Sequence, residues 1–499
     1  MPNSTSIPIM MGVHSTNTTP RKTYAYSSQY PRIPPKSVSM KGLSQQFSRL
    51  SMESFGTEKF DQNDITYDSD GAIMSGSVSA LVHRLLPTRT TTPDSQFIFT
   101  LIVNIRTVIS PQELMQKIVQ NCMFSQNEDV SRHGRERMFA HIFRLCHEWV
   151  TTIPHDFRTE YMRTRLNELL TLCCVDSVYK KKAADLQSSL KATLNKFERY
   201  EKAMENLSKK VEEGQPPQPI DMLTGILPLC QSAKEVAQQL AHIEYERMSM
   251  VGLDEIVHAL AHNQLSELGK LNGLNSTTSA ITFYIDWFNR LSSFAATEVL
   301  RHTKRKHRVQ VIEYLIDVAR ECCEIGNFNS LMAIVAGLSL PCVGRLKRTW
   351  CRVDKQKLHI LQHQIDPSGN FVSYRATLKA AQWRAETAKS PDEKTIIPFF
   401  VLLLKDLYLI YHGSMRVLPN GHLNFVAFAQ LAVLLNEFHE WKRTQCVFPK
   451  NPQVLHYLLV ARIYTEKQAE LMSFECETPE GSDEREQWKK LKSKLMQDL

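Results

Sequence analysis

Six consecutive residues, Leu331-Met332-Ala333-Ile334-Val335-Ala336, present no polar side chain to water. A helix built from them must be enclosed by other elements on every side, so the chain needs a sizeable core around it. The stretch just before supplies a partner. Val309, Ile312, Leu315, Ile316, Ala319, Cys322 and Cys323 recur at helical spacing and mark one apolar face. The same period returns elsewhere. Val78, Leu81, Val82, Leu85 and Leu86 form one stripe, and Phe139, Ile142, Phe143, Cys146, Trp149 and Val150 form another. No long alternating strand pattern and no repeat of 20 to 50 residues interrupts them. The expected fold class is all-α.

A length of 499 residues predicts roughly two to three domains plus tails at about 150 residues each. Apolar residues make up 42% of the chain, which excludes disorder of the whole. Sixty basic residues stand against 52 acidic ones, a formal net charge of +8. That is too mild for a dedicated nucleic-acid binder, and nucleic acid is not an expected partner. The 11 cysteines form no CxxC pair and fall on apolar helical stretches, as buried reduced thiols of a cytoplasmic protein do. The longest apolar run, Ile396 to Leu404, contains Pro398 and is too short to span a bilayer. Neither a signal-peptide core nor a Met-Gly start is present, and Gln497-Asp498-Leu499 is not a prenylation box. Any membrane contact is expected to be peripheral.

The chain divides by composition. Residues 1–70 are rich in Ser, Thr, Pro and Asn without apolar period and read as a disordered tail. Residues 71–179 read as a small helical module, in which Ser110-Pro111-Gln112-Glu113 caps and opens one helix. Residues 180–224 combine a charged helix with a stiff linker at Pro216, Pro217 and Pro219. Leu190, Phe197, Met204 and Val211 fall seven apart in that helix. The seam is too short for a firm coiled coil, so packing on a neighbouring domain is favoured over dimerisation and the chain is expected to be a monomer. Residues 225–475 make the larger helical domain, and 476–499 a charged terminal segment.

Chemical motifs are absent. There is no GxxxxGK[ST] loop, no GxGxxG after a strand, no HExxH and no GxSxG. His359 and His363 stand one turn apart with no third ligand, as surface histidines do, so neither a metal nor a cofactor is expected. Arg301 to Arg308 reads RHTKRKHR, which is either a solvated helix start or a docking face for an acidic protein or anionic lipid. The best-defined local architecture is a helical hairpin. Pro398 opens a helix over 399–412, and Gly413 is expected as a left-handed cap. Asn420-Gly421 then makes a turn, and Asn424 caps a second helix carrying Phe425, Phe428, Leu431, Leu435 and Phe438 on one face.

These blocks resemble a known family. NFNSLMAIVAGLSLPCVGRLKRTW (327–350) is similar to the signature of the Ras guanine-nucleotide exchange factor (RasGEF) domain. So are AKEVAQQLAHIEYERM (233–248), FYIDWFNRLSSF (283–294) and the hairpin helix IIPFFVLLLKDLYLIYHG (396–413). IRTVISPQELMQKI (105–118) and HDF (155–157) resemble the RasGEF N-terminal (REM) module. PNGHLNF (419–425) and SFECETPEG (473–481) most resemble the RasGEF domain-containing family member 1 group. The resemblance implies exchange without covalent chemistry, so not an enzyme in the covalent sense. The partner would be a Ras-subfamily small GTPase, with Rap-type favoured. The protruding hairpin would wedge open switch I and disturb the magnesium and phosphate sites, and GDP would leave because the exchanger binds the nucleotide-free state best. The N-terminal module would buttress the hairpin.

Two positions depart from the family pattern. Where members carry a small or aliphatic residue, and one turn later a Glu, this chain has Tyr408 and His412. They are either tolerated variations or the source of altered, pH-dependent exchange, since an ordinary imidazole titrates near 6.5. Tyr408 and His412 are therefore the expected exchange residues. Asn327, Asn329, Arg345 and Lys405 are the expected GTPase contacts, with helix capping as the plain alternative for the asparagines and solvation for Arg345. The competing functional reading is a non-exchanging GTPase-binding scaffold with the same fold. A self-association module built on the helix at 180–213 is a weaker third.

Overall fold

The computed structural model of the chain describes residues 64–87, 92–126, 132–174, 177–212, 225–264 and 279–497. Most of the expected tail, the Pro-rich linker and the last two residues lie outside the described residues. Twenty-one helices and one small sheet make up the rest, an all-helical fold as expected.

The N-terminal module begins with a hairpin of β1 (Ile65–Tyr67) and β2 (Ile73–Gly76). Helices α1 (Val78–His83), α2 (Ser95–Ile105), α3 (Pro111–Gln126), α4 (Arg132–Thr152) and α5 (Glu160–Cys173) follow. The Ser110 hydroxyl accepts from the Glu113 N–H at 3.2 Å, and the Glu113 carboxylate accepts from the Ser110 N–H at 2.8 Å. That reciprocal pair is a capping box, and it explains why α3 starts at Pro111. Cys122, Cys146 and Cys173 are buried together in this module, and burial pushes the thiols of Cys122 and Cys173 up to about 12. All 11 cysteines are free.

Helix α6 (Ser177–Glu212) runs 36 residues and ties the two domains together. Ala183, Leu186, Leu190 and Phe197 are buried along it. The Phe197 ring stacks on His155 of the HDF stretch at 4.2 Å, whereas Lys196 donates to Ser249 and Tyr200 meets Phe283 edge-on in the larger domain. Leu190 and Phe197 of the periodic face therefore pack within their own chain. His155 in turn stands 3.3 Å from Asp254, a carboxyl held well below its usual range by the histidine and by Arg106.

The larger domain contains α7 (Ile226–Leu229), α8 (Ala233–Met250), α9 (Leu253–Ala261), α10 (Ala280–Leu300), α11 (Arg305–Ile325) and α12 (Phe328–Ser339). Short turns α13 (Pro341–Gly344) and α14 (Lys347–Trp350) lead to α15 (Gln356–Gln364) and α16 (Ser368–Thr387). Helix α12 carries the run that needed full enclosure. It lies among α8, α10 and α11, and from Leu331 to Val335 every residue is buried. Gly337 lets it approach α10, since a Cβ there would stand 2.2 Å from the Ser292 carbonyl oxygen.

The hairpin is α17 (Phe400–Gly413), β3 (Leu423–Asn424) and α18 (Phe425–Arg443). Helices α19 (Pro452–Val460), α20 (Glu466–Cys476) and α21 (Ser482–Gln497) close the chain. Asn424 caps α18 as expected, accepting from the Ala427 N–H at 3.2 Å. Two expectations need correction. Residues 65–67, read as tail, form β1, and β2 also pairs with β3 across 347 residues of sequence, giving the order β1-β2-β3. Strands of two to four residues are too short to leave an alternating pattern. Gly413 is not a left-handed cap: α17 ends in an extended Ser414, and the positive φ falls at Gly421, in the Asn-Gly turn.

Candidate functional site

The hairpin helix α17 rises from a segment with almost no freedom. The Ile396 N–H donates to the Tyr245 hydroxyl at 3.2 Å and the Ile397 N–H to the Gly326 carbonyl at 2.9 Å. Pro398 has no N–H to satisfy. The Phe399 N–H then donates to the Tyr374 hydroxyl at 2.8 Å, and the Phe400 N–H to Asn329 Oδ1 at 3.3 Å. Every donor of this root thus finds a partner on a different element. Gly326 is obligatory there, with φ +86° and a position where a Cβ would stand 2.3 Å from the Thr395 carbonyl oxygen.

Behind the root lies Glu244, fully buried on α8. Its carboxylate accepts from Ser330 Oγ at 2.7 Å, Asn329 Nδ2 at 3.0 Å and Trp287 Nε1 at 3.1 Å. Burial raises the carboxyl above its ordinary range, and these donors oppose the rise. On the outer side, Arg375 of α16 forks onto Asp406 of α17 at 2.7 and 2.8 Å.

The opposite arm is braced by the N-terminal module. Asn104 of α2, fully buried, donates to the Phe428 carbonyl at 3.1 Å, and its Oδ1 accepts from Arg416. The Arg416 guanidinium lies over the rings of Tyr411 and Phe428 at 4.7 and 4.6 Å. Burial lowers it to about 10, which leaves it charged at neutral pH. Phe97 of α2 stacks on Phe425 of α18 at 5.3 Å.

The expected site residues separate into two groups. Tyr408 and His412 do come together, with ring centroids 4.3 Å apart on the outer part of α17. His412 is exposed beside the Leu260 carbonyl, and partial desolvation and the Arg416 charge lower its pKa. Lys405 is half-buried and donates to Asn370 at 3.4 Å. The other three point inward. Asn327 is fully buried and caps α12 through the Ser330 N–H at 3.1 Å. Asn329 is 1% exposed and spent on Glu244 and Phe400, so neither asparagine presents a surface to a partner. Arg345 is committed to the C-terminal segment. It donates to Glu484 at 2.9 Å and to the Ser473 and Glu477 carbonyls, each at 2.9 Å, and it covers the Phe474 ring. As GTPase contacts Asn327, Asn329 and Arg345 are corrected on burial and occupancy.

Sequence reasoning missed Glu244, Asn104, Arg375 and Arg416. Glu244 had a readable signal, a carboxylate at a position of α8 flanked by buried-type residues (Ile243, Tyr245). Asn104 sits in the apolar run of α2 and carried a similar one.

The chain is similar to known proteins over both of its helical modules. The RasGEF domain model matches residues 235–429, and the RasGEF N-terminal motif matches residues 72–169. Ras-GEF domain-containing family member 1B-A of Danio rerio is 40% identical over 438 residues, covering 86% of this chain and 85% of the relative. The Homo sapiens member 1B is 38% identical over 439 residues, covering 86% and 93%, and the Mus musculus member 1C is 38% identical over 431 residues, covering 86% and 92%.

Proposed function

The chain belongs to the RasGEF family and is a Ras-type guanine-nucleotide exchange factor; on that premise we propose that its substrate is a Rap-type GTPase of the Ras subfamily. The observation that carries exchange is the hairpin's construction. Its root is fixed at four backbone donors and its other arm is braced by the N-terminal module. The outer part of the hairpin exposes Leu409, Met415 and Val417 beside the Tyr408 and His412 pair. A lever held this way deforms a bound partner rather than itself. Binding energy at its tip is then realised only in the nucleotide-free GTPase, which lowers nucleotide affinity by linkage. No covalent step is involved. Rap preference rests on likeness to the member 1 group. The protein is read as a cytoplasmic monomer whose membrane contact is peripheral.

The test is release of a fluorescent GDP analogue from purified Ras, Rap and Ral proteins in the presence of the full chain. Acceleration on Rap above the others is expected. Acceleration on Ras or Ral instead overturns the preference.

The scaffold reading is favoured by one observation: His412 already has the Tyr408 ring and the Leu260 carbonyl beside it. It predicts equal binding of loaded and nucleotide-free GTPase with no acceleration on any member.

A further inference from the structure

Three parts of the molecule meet at one carboxylate. Asp254 lies in the first turn of α9 beside Glu255, and Gly252 stands just before that helix. From the N-terminal module, His155 Nδ1 approaches Asp254 Oδ1 at 3.3 Å, and the Arg106 charge acts on the same carboxyl. From the hairpin, Lys442 in the last turn of α18 donates to the Val251 carbonyl at 2.8 Å, and its charge too favours the Asp254 carboxylate. The backbone leaves room for this meeting. A Cβ on Gly252 would stand 2.3 Å from Asp254 Oδ1 and 3.0 Å from His155 Nδ1.

The groups on the module side are held in place. Arg106 closes α2 and forks onto Asp156 at 3.1 and 3.0 Å, and Asp156 also accepts from Trp149 Nε1 at 2.7 Å. The His155 ring is held by its stack on Phe197 of α6. Arg106 follows closely on Asn104, whose amide reaches Phe428 near the start of α18. Lys442 lies about 21 Å further along that helix. The N-terminal module therefore engages α18 near both ends, directly through Asn104 at one and by way of Asp254 at the other.

Helix-end electrostatics accounts for part of this arrangement. A carboxylate in the first turn of α9 and a cation in the last turn of α18 each complement their own helix dipole. It does not account for what Lys442 costs. Burial lowers its ammonium to about 8, with Arg443 acting in the same direction and Asp254 and Glu255 opposing. An unfolded lysine titrates near 10.4, so folding disfavours the charged form, and a methionine of similar length would avoid that cost. A cation kept there against stability points to a use for its charge.

We infer that Asp254 and Lys442 are positioning residues for exchange. The carboxylate holds the N-terminal module and the foot of α18 in one arrangement, and so fixes the stance at which the hairpin meets a GTPase. This role presupposes an exchanging chain and is indifferent to which Ras-subfamily GTPase is the substrate.

The test uses the full chain and two readouts. The first is release of a fluorescent GDP analogue from Ras, Rap and Ral, taken as a ratio to release without exchanger at the same pH. D254N and K442M should each lower that acceleration by about twofold to thirtyfold at saturating exchanger. K442M should melt at the wild-type temperature or above it. From pH 7.5 to 9.5 the wild-type Lys442 loses its proton. Its folded pKa lies below the unfolded one, so its cost to the fold shrinks over that interval, whereas acceleration should fall. K442R keeps its charge throughout and should hold the acceleration level. The groups facing Lys442 are Asp254 and Glu255 of α9 and His439 and Arg443 of its own helix, with His155 and Arg106 behind Asp254. The second readout is amide hydrogen exchange of residues 414–428 with no GTPase present. D254N and K442M should speed it severalfold and leave residues 331–338 of α12 unchanged.

Wild-type acceleration in both variants, a common alkaline profile for wild type and K442R, or a K442M that melts well below wild type overturns the inference. So does unchanged protection of residues 414–428 in both variants. If the wild type accelerates no GTPase, the exchange reading falls, and hydrogen exchange alone decides whether Asp254 and Lys442 hold the hairpin.

Discussion

The two ends of the hairpin are held in different ways. At the root, every backbone donor from Ile396 to Phe400 is matched, and the carboxylate behind it accepts three bonds in a fully buried setting. At the brace, the polar link between the modules is one asparagine and one arginine beside the Phe97–Phe425 and Phe99–His439 ring contacts, the Arg416 Nε has no partner, and β2 meets β3 through two residue pairs. The root is over-determined and belongs to the larger domain alone. The brace is sparse in polar bonds and is supplied by the N-terminal module. The contrast implies that the root sets whether the hairpin exists, whereas the brace sets the angle at which it stands.

The sharpest way to break this contrast is at the root. Glu244→Ala strips the acceptor from three buried donors, each costly to leave unpaired. A loss of about 3–4 kcal/mol in chemical denaturation is expected, with exchange falling in proportion to the folded fraction. A smaller loss than that from any brace variant would refute the idea that the root is the better-fixed end.

Acid should act on the brace. His439 of α18 is buried against Phe99 of the N-terminal module, its Nδ1 without a partner, and burial with the nearby Lys442 and Arg443 charges depresses it to about 3. The folded pKa lies below the unfolded value of about 6.5, so the unfolded chain binds the extra proton between the two. This contribution is whole above pH 6.5 and is lost as pH falls toward 3, by about 2 kcal/mol at pH 5. His439→Leu should flatten that part of the stability profile, and an unchanged acid slope in the variant would remove His439 from the account.

Asn104→Ala separates angle from existence. It removes one of the Arg416 acceptors, leaving that guanidinium its bond to the Ala427 carbonyl at 3.0 Å, and takes the side-chain donor from the Phe428 carbonyl, for about 1–2 kcal/mol of stability. Exchange should nevertheless fall severalfold under conditions where the protein is fully folded. If rate and stability fall together, as at the root, the brace does not set the angle.

What was legible in the sequence follows the same division. Helical period, the Ser110–Glu113 box and the Asn424 cap are local and were readable, as was the enclosed helix α12. The cap at Asn327 was readable as well, as the plain alternative to a GTPase contact, but the use of Asn329 was not. Asn329 spends itself on Glu244 and Phe400, residues 85 and 71 positions away, so that its burial depends on contacts no local pattern encodes. Arg345 looked like a surface cation because its partners lie more than 120 residues downstream. The β2–β3 pairing was hidden for the same reason, compounded by strands too short to alternate.

The smallest structural effect belongs to the tip, and there chemistry can be read apart from packing. His412 stands in the last turn of α17, where a negative charge meets the unfavourable end of the helix dipole. His412→Glu should therefore cost less than about 1 kcal/mol of stability. Its effect on rate is another matter. Desolvation and Arg416 keep the imidazole neutral at pH 7, so the cation forms only as pH falls below the usual imidazole range. If that cation opposes a developing charge on the GTPase, wild-type exchange should slow on mild acidification and the Glu variant should not. Measuring both profiles on one GTPase, between pH 5.5 and 8, decides it. Parallel profiles would mean that His412 serves only as a ring for Tyr408 to lean on.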